Sequence, residues 1–305
     1  MAIAILDFGT NTFNLLIAER KDVGFRILHT GIQPVKLGRG GIESGYMTPD
    51  AFERGFTAIQ NHMDIIRTFR VEEIRAFATS AIRNAVNGED FVEEVWRRFG
   101  FRVRVVSGER EAELIYKGVR QAFRLTQKKV MILDIGGGSN EFIICNRDGI
   151  IWKQSFELGM ARILELFTPS DPITAEEISA IESFFQQELK PLMETVSIEG
   201  PTALIGASGT FDTFHALILK RTGNAPDDRH GRELIMKEYQ KLHRILLEST
   251  LNERMAMPGM EPVRAEMIVP ATIFVSFVLR ECHIGQLYHS EFALKEGVIS
   301  ELVGL

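Results

Sequence analysis

The sequence predicts an α/β protein made of two similar units that face each other across a cleft. The motif AILDFGTNTFNLLI (residues 4–17) recurs as MILDIGGGSNEFII (residues 131–144), with Asp, Gly and a hydroxyl residue at matching places. Both copies consist of an apolar strand, an Asp-x-Gly turn and a second apolar strand. Because each copy opens one half of a 305-residue chain, we interpret the pattern as a duplicated domain.

The elements of the first half follow from apolar runs and turn residues. Thr48 followed by Pro49 predicts the start of a helix, with Thr48 as its N-cap. The expected strands cover residues 2–6, 13–18, 24–28, 74–78 and 102–106. The expected helices cover residues 48–69, 90–99 and 109–123.

The second half begins again with strands, expected at 130–135, 141–146, 150–158 and 202–205. Thr174 and Glu177 form a capping-box pattern, which predicts one long helix over about 174–193. A further helix is expected from about Phe211, and the last third of the chain is expected to be mostly helical. The polar segment 224–232 is expected to be a loop. We place the domains at 1–124 and 125–305, with the boundary in a polar segment.

Charge and cysteine content exclude several classes of protein. The net charge of −6 argues against a general binder of nucleic acid or of anionic membranes. Cys145 and Cys282 are far apart in the sequence, so we expect neither a disulfide scaffold nor a zinc site. The low cysteine content leads us to expect a cytoplasmic location. The apolar run 267–279 contains Pro270 and predicts a buried helix rather than a membrane span. The amino terminus predicts a first strand rather than a signal peptide.

The two glycine turns allow two interpretations. A glycine-rich hairpin can simply be a tight turn that needs positive φ. Alternatively, bare backbone amides can approach an oxyanion closely, which would explain three consecutive glycines. An aspartate before each turn can hold a divalent cation directly or through water. The candidate phosphate-binding residues are Gly9, Thr10, Asn11, Thr12, Gly136, Gly137, Gly138 and Ser139.

A third turn, IGASGTFDTF (residues 205–214), leads from a predicted strand into a predicted helix. The amino terminus of that helix can bind an anion, which makes Gly209 a further candidate for phosphate binding. Close packing of the strand against the helix explains the small residues equally well.

The motifs together resemble the exopolyphosphatase/guanosine-pentaphosphate phosphohydrolase (Ppx/GppA) family, which belongs to the actin, sugar kinase and Hsp70 superfamily. The resemblance lies in LDFGTNTFNLLIAE, ATSAIRNAVNG, VSGEREAELIYKGV, LDIGGGSNEFI, IGASGTFDT, RAEMIVPA and ALKEGVISEL. Their order and spacing match over nearly the whole chain. The resemblance implies two RNase H-like (actin-like ATPase) domains flanking a central cleft. A homodimer is common among the relatives.

The resemblance also implies roles for individual residues. Glu111, in SGEREA, matches the catalytic glutamate, and Arg83, in ATSAIR, matches a phosphate-binding arginine. Asp7, Asp134 and Glu141 match the acidic positions, which we expect to hold Mg²⁺. Arginine can grip a phosphate with two parallel N–H bonds, and a glutamate can orient the attacking water. The implied reaction removes terminal phosphate from polyphosphate or guanosine pentaphosphate.

Two alternative functions stay open: the superfamily and the GASGT turn suggest a kinase, and two departures from the family pattern suggest a sensor. Asn14 stands where a basic residue is common, and Arg110 stands where an acidic residue is frequent. The helical extension of long family members is expected to be absent. One alternative is a kinase that transfers phosphate from ATP to a small acceptor. The other is a sensor that binds alarmone nucleotides or polyphosphate without turnover.

Overall fold

The computed structural model describes residues 2–22, 24–41, 44–223 and 232–304, and it contains two β-sheets surrounded by helices. Strands and helices are mixed in both halves of the chain, which confirms the predicted α/β class. The loop predicted for 224–232 lies outside the described residues, except for Arg232.

The first unit is built on a five-stranded sheet in the order β3-β2-β1-β4-β5. β1, β2 and β3 are antiparallel, whereas β4 is parallel to β1 and β5 is parallel to β4. Its strands are β1 (Ala2–Phe8), β2 (Thr12–Arg20), β3 (Phe25–Pro34), β4 (Val71–Ala78) and β5 (Val103–Val105). Its helices are α1 (Pro49–Thr68), α2 (Ser80–Asn84), α3 (Gly88–Phe99) and α4 (Gly108–Ala122).

The second unit is built on a six-stranded sheet in the order β10-β11-β9-β6-β7-β8. Its strands are β6 (Val130–Ile135), β7 (Asn140–Asn146), β8 (Gly149–Phe156), β9 (Leu204–Ala207), β10 (Arg232–Glu233) and β11 (Leu287–Ser290). Its helices are α5 (Met160–Phe167), α6 (Ala175–Glu188), α7 (Lys190–Glu199), α8 (Gly209–Thr222), α9 (Met236–Glu248), α10 (Leu251–Ala256), α11 (Ile268–Glu281) and α12 (Leu294–Val303).

The two units share the core topology that the sequence repeat predicts. β6, β7 and β8 form an antiparallel meander like β1, β2 and β3, and β9 is parallel to β6 as β4 is to β1. In the register of the first hairpin Asp7 is opposite Asn14, and in the second Asp134 is opposite Glu141. Asp7 and Asp134 therefore occupy equivalent positions in the two hairpins, and so do Asn14 and Glu141.

Two expected elements differ from the structure. The single helix predicted over 174–193 is divided into α6 and α7, with Pro191 in the first turn of α7. Proline has no N–H and its ring displaces the preceding turn, so the helix cannot continue through it. The last third also contains β11, a buried strand parallel to β9 that the sequence did not predict.

Helix α12 returns from the second unit and packs against α4 of the first. Their backbones approach closely, because a Cβ atom at Gly118 or Gly297 would overlap a carbonyl oxygen of the opposite helix. The side chains of α4 and α12 belong to an apolar cluster that includes residues of β1, β2, β6 and β7. This cluster fills the space between the two sheets. No helix within the described residues is both long and apolar enough to cross a bilayer.

Candidate active site

The turns of the two hairpins meet in a single cleft between the units. The predicted residues of both glycine turns and the carboxylates predicted to bind metal line this cleft, and so do Gly209 and Glu111. Those residues are Asp7, Gly9, Thr10, Asn11, Thr12, Asp134, Gly136, Gly137, Gly138, Ser139, Glu141 and Gly209. Arg83 lies directly behind Glu111, to which it is hydrogen-bonded. The fold thus brings together residues that are more than 200 positions apart.

Both turns close with the same backbone hydrogen bond. The N–H of Gly9 donates to the carbonyl of Thr12 at 3.1 Å, and the N–H of Gly136 donates to the carbonyl of Ser139 at 3.0 Å. Neither glycine has a positive φ, nor do Gly137 and Gly138. A left-handed backbone therefore does not explain these glycines.

Close approach between the two units explains Gly137 and Gly138. A Cβ atom at Gly137 would lie 2.8 Å from Nδ2 of Asn11, which is shorter than a van der Waals contact. A Cβ atom at Gly138 would lie 2.5 Å from the hydroxyls of Thr10 and Ser80. The missing side chains let the second turn touch the first unit, and both glycines line the cleft.

The carboxylates of the cleft are held by short hydrogen bonds. Nδ2 of Asn14 donates to Oδ2 of Asp7 at 2.9 Å. Oε1 of Glu141 accepts from the hydroxyls of Ser139 and Ser155, at 2.8 and 2.7 Å. The Asn14 departure thus has a definite structural consequence, since its amide fixes the orientation of a predicted metal ligand.

Burial raises the pKa of each of these carboxyl groups. For Glu141 the burial raises the pKa to about 7, although two serine hydroxyls oppose the shift. Burial and the negative charge of Glu141 hold the pKa values of Glu111 and Asp134 well above their usual range. Burial also raises the pKa of Asp7, against the opposing effects of Lys295 and Asn14.

The donor set of the cleft suits a hard divalent cation. Asp7, Asp134 and Glu141 present carboxylate oxygens, which are the ligands that Mg²⁺ prefers. Within the described ranges, no three His, Cys, Asp or Glu side chains are grouped closely enough to hold a metal alone. Mg²⁺ commonly keeps water and takes phosphate oxygens, so one or two protein carboxylates suffice.

Arg83 and Glu111 form a buried pair from two elements of the first unit. Arg83 lies in the last turn of α2, and Glu111 lies in the first turn of α4, whose N-cap is Ser107. Nη1 of Arg83 donates to Oε2 of Glu111 at 3.0 Å and to the carbonyl of Val106 at 3.1 Å. The guanidinium is therefore fixed in orientation beside the predicted catalytic carboxylate.

Sequence reasoning missed two cations that line the cleft. Lys295, in the first turn of α12, has its positive charge near Asp7 and Asp134. Arg264 occupies the space that the absent side chain of Gly209 leaves, and among the described residues its Nε has no hydrogen-bond partner. Both residues lie in motifs, ALKEG and RAEMIVPA, that carried the family resemblance, and this was the signal available for them.

The chain was compared with known proteins. Residues 16–305 match the model of the Ppx/GppA phosphatase family. The chain belongs to this family. The resemblance inferred from the motifs is confirmed, and it holds over almost the whole length.

Individual members of the Ppx/GppA family are similar in sequence and structure. A crystal structure of an exopolyphosphatase from Cytophaga hutchinsonii is 34% identical, with a TM-score of 0.96 over 100% of this chain and 98% of that one. Exopolyphosphatase 2 of Mycobacterium tuberculosis is 29% identical over 99% of this chain and 98% of its own length. A guanosine-5'-triphosphate,3'-diphosphate pyrophosphatase of Vibrio atlanticus is 25% identical over 98% of this chain and 59% of its own length. The predicted fold of two RNase H-like units is confirmed by the structural match.

Proposed function

We propose that this protein hydrolyses terminal phosphoanhydride bonds and releases phosphate from polyphosphate, with guanosine pentaphosphate as a second candidate substrate, in a Mg²⁺-dependent reaction. The observation that carries the proposal is the convergence of Glu111, Arg83 and both glycine turns on one cleft in a Ppx/GppA family member. Phosphoryl transfer to water needs an oriented nucleophile and stabilisation of negative charge. The cleft offers both.

The glycine turns supply the donors for the phosphate groups. Gly137 and Gly138 line the cleft without side chains to cover their backbone, and Thr10 and Ser139 line it as well, so backbone amides and hydroxyls are available as donors. Hydrogen-bond donors that are already in position stabilise the negative charge of the transition state without a large cost of reorganisation. The terminal phosphate is therefore expected to lie between the two turns, with one unit on each side.

Glu111 is positioned to orient and deprotonate the attacking water. Its carboxylate is buried, and Arg83 holds Oε2, which leaves the other oxygen available to a water molecule. Burial and the charge of Glu141 raise the pKa of Glu111, and a raised pKa makes a carboxylate a stronger base. Arg83 opposes this shift, because its positive charge and its hydrogen bond favour the ionised form of Glu111.

The charge of the cleft supports the requirement for a divalent cation. Its acidic side chains would repel a polyanionic substrate unless a cation were bound with it. Mg²⁺ held by one or two of the carboxylates Asp7, Asp134 and Glu141 would neutralise charge on the phosphoryl group. Lys295 adds positive charge on the same side of the cleft.

Two observations favour polyphosphate over guanosine pentaphosphate. The relatives with the higher identities are named exopolyphosphatases. Asn14 is committed to Asp7 and adds no positive charge for a second group of phosphates. We propose short polyphosphate chains as the preferred substrate. A homodimer and a cytoplasmic location are further proposals, which sedimentation and cell fractionation can test.

The test is phosphate release, with and without Mg²⁺, from tripolyphosphate, longer chains of defined length and guanosine pentaphosphate. We expect Mg²⁺-dependent release that is fastest from short polyphosphate. Binding without release would favour the sensor, and transfer of phosphate from ATP to an added acceptor would favour the kinase. Either result would overturn the proposed hydrolysis.

A further inference from the structure

Glu157 connects the two units at the edge of the cleft. It follows β8 in the second unit, and its carboxylate reaches α2 in the first. Oε2 accepts a hydrogen bond from the hydroxyl of Ser80 at 2.7 Å, and Oε1 accepts from Nη2 of Arg83 at 3.0 Å. Arg162 of α5 lies 3.6 Å from Oε2. One carboxylate thus ties a phosphate-binding candidate of the first unit to the second unit.

Arg83 has few N–H groups left for a substrate. One terminal nitrogen donates to Glu111 and to the carbonyl of Val106, and the other donates to Glu157. A phosphate that binds arginine through two parallel N–H bonds needs two N–H groups that are not donating to protein oxygens. These contacts use three of the five N–H groups of Arg83, so a phosphate competes with the two carboxylates for the terminal nitrogens.

Exposure indicates which carboxylate leaves. The side chain of Glu111 is 10% exposed, whereas that of Glu157 is 42% exposed. If Glu111 moved away from Arg83, an unpaired ion would remain in a buried site, which is costly. Glu157 can instead rotate into water, where its carboxylate stays solvated. The donors that Glu157 would release include Ser80, which lines the cleft, and Arg83, which is hydrogen-bonded to Glu111 of the cleft. Together these two can bind one phosphate group.

We propose that Glu157 is an affinity-determining residue that competes with the phosphate of the substrate for Arg83 and Ser80. In the absence of substrate its carboxylate occupies the donors and joins the two units. When a phosphate group arrives, it replaces the carboxylate, and Glu157 turns outward. This inference rests on the proposed function only in assigning Arg83 to phosphate binding.

The opposite role for Glu157 predicts the opposite change in affinity. If Glu157 merely orients Arg83, removing its carboxylate leaves the guanidinium mobile and weakens phosphate binding. If it competes, removing the carboxylate strengthens binding. The sign of the change in Kd therefore separates the two roles.

The experiment measures binding of inorganic phosphate, which has no phosphoanhydride bond to hydrolyse, by calorimetry with Mg²⁺ present, to wild type, Glu157→Gln and Glu157→Ala. We expect Kd to fall about tenfold or more in both variants, which corresponds to about 1.4 kcal/mol and to the scale of a hydrogen bond to a charged group. The matched control is Glu266→Gln. It removes another ion pair between the units, Lys36–Glu266 at 2.6 Å, without contact to Arg83.

Tighter binding in both Glu157 variants, with the control near wild type, would support the competition. An unchanged or larger Kd in the Glu157 variants, or an equal gain in the control, would overturn it. The readout needs no hydrolysis, so the outcome is separate from that of the phosphate-release assay. Tighter binding by a chain that releases no phosphate would retain this inference and refute the proposed function.

Discussion

Replacing the buried carboxylate of Glu141 by a neutral amide is expected to flatten the pH dependence of the free energy of unfolding in weakly acidic solution. Burial raises the pKa of Glu141 from 4.5 to about 7 in the folded protein. Between these values the folded state keeps a proton that the unfolded state releases. Stability therefore falls as the pH rises through this window and levels off above it.

The structure sets the magnitude of this effect. Each pH unit across the window is worth about 1.4 kcal/mol for one proton, so ionised Glu141 costs the ligand-free protein about 3 kcal/mol above pH 7. In Glu141→Gln the hydroxyls of Ser139 and Ser155 can still donate to the remaining amide oxygen. The variant should therefore lose little below pH 4.5 and be more stable than wild type at pH 7.5.

The assay is urea unfolding at pH 4.5, 6 and 7.5 with EDTA present. The control is Glu177→Gln, because hydrogen bonds from Ser170 and Thr174 lower the pKa of Glu177 to about 2. The stability that Glu177 contributes is present above its unfolded pKa and is lost only as the pH falls, so this variant should keep the wild-type slope. Parallel curves for wild type and Glu141→Gln between pH 4.5 and 7.5 would refute the reasoning.

Three further predictions concern the arginine, the helix contact and the metal. Arg83→Lys should lower kcat/KM about tenfold or more, because an ammonium cannot hold Glu111 and a phosphate with fixed geometry; wild-type kinetics would contradict this. Gly297→Ala should lower the free energy of unfolding, measured with urea, by about 1–3 kcal/mol, because the added Cβ overlaps α4. The control Gly285→Ala should leave this free energy unchanged, because the space around its added Cβ is open. Added Mg²⁺ should raise Tm more at pH 8 than at pH 5, since Asp7 and Asp134, with raised pKa values, must be ionised to bind it; an equal or larger rise at pH 5 would contradict the assigned ligands.

The repeat made the architecture predictable from the sequence. Two hairpins with the same Asp-x-Gly turn and the same apolar alternation specify two equivalent sheets, and the structure has them with Asp7 and Asp134 in matching registers. Local signals were also reliable at Thr48, whose hydroxyl accepts the N–H of Ala51. Such features depend on neighbouring residues alone, so they can be recognised without knowing the fold.

The secondary-structure predictions failed at two places, the helix expected over 174–193 and the strand β11. Pro191 was visible in the sequence, and its rigid ring should have divided the helix predicted over 174–193. The four-residue strand β11 carries little alternation, and only its pairing with β9 defines it. Short buried strands cannot be separated from helix ends by periodicity alone.

The cleft was predicted in its composition but not in its contacts. Motifs identified both glycine turns and Glu111, whereas nothing local indicated that Lys295 would lie near Asp7 and Asp134. The residue that fills the space at Gly209, Arg264, is likewise distant in the sequence. These contacts arise from the packing of the two units and of α12, which a single sequence does not specify.

The measurement that tests the central claim most directly is the rate of phosphate release from tripolyphosphate with Mg²⁺, for wild type, Glu111→Gln and Glu113→Gln. Glu113 is on the same helix but pairs with Arg110 and Lys153 outside the cleft, so its replacement controls for a lost charge on α4. We predict that Glu111→Gln loses about 10²-fold or more of the rate while remaining folded, and that Glu113→Gln stays near wild type. A Glu111→Gln enzyme as fast as wild type would contradict the assignment of the catalytic base and the mechanism built on it.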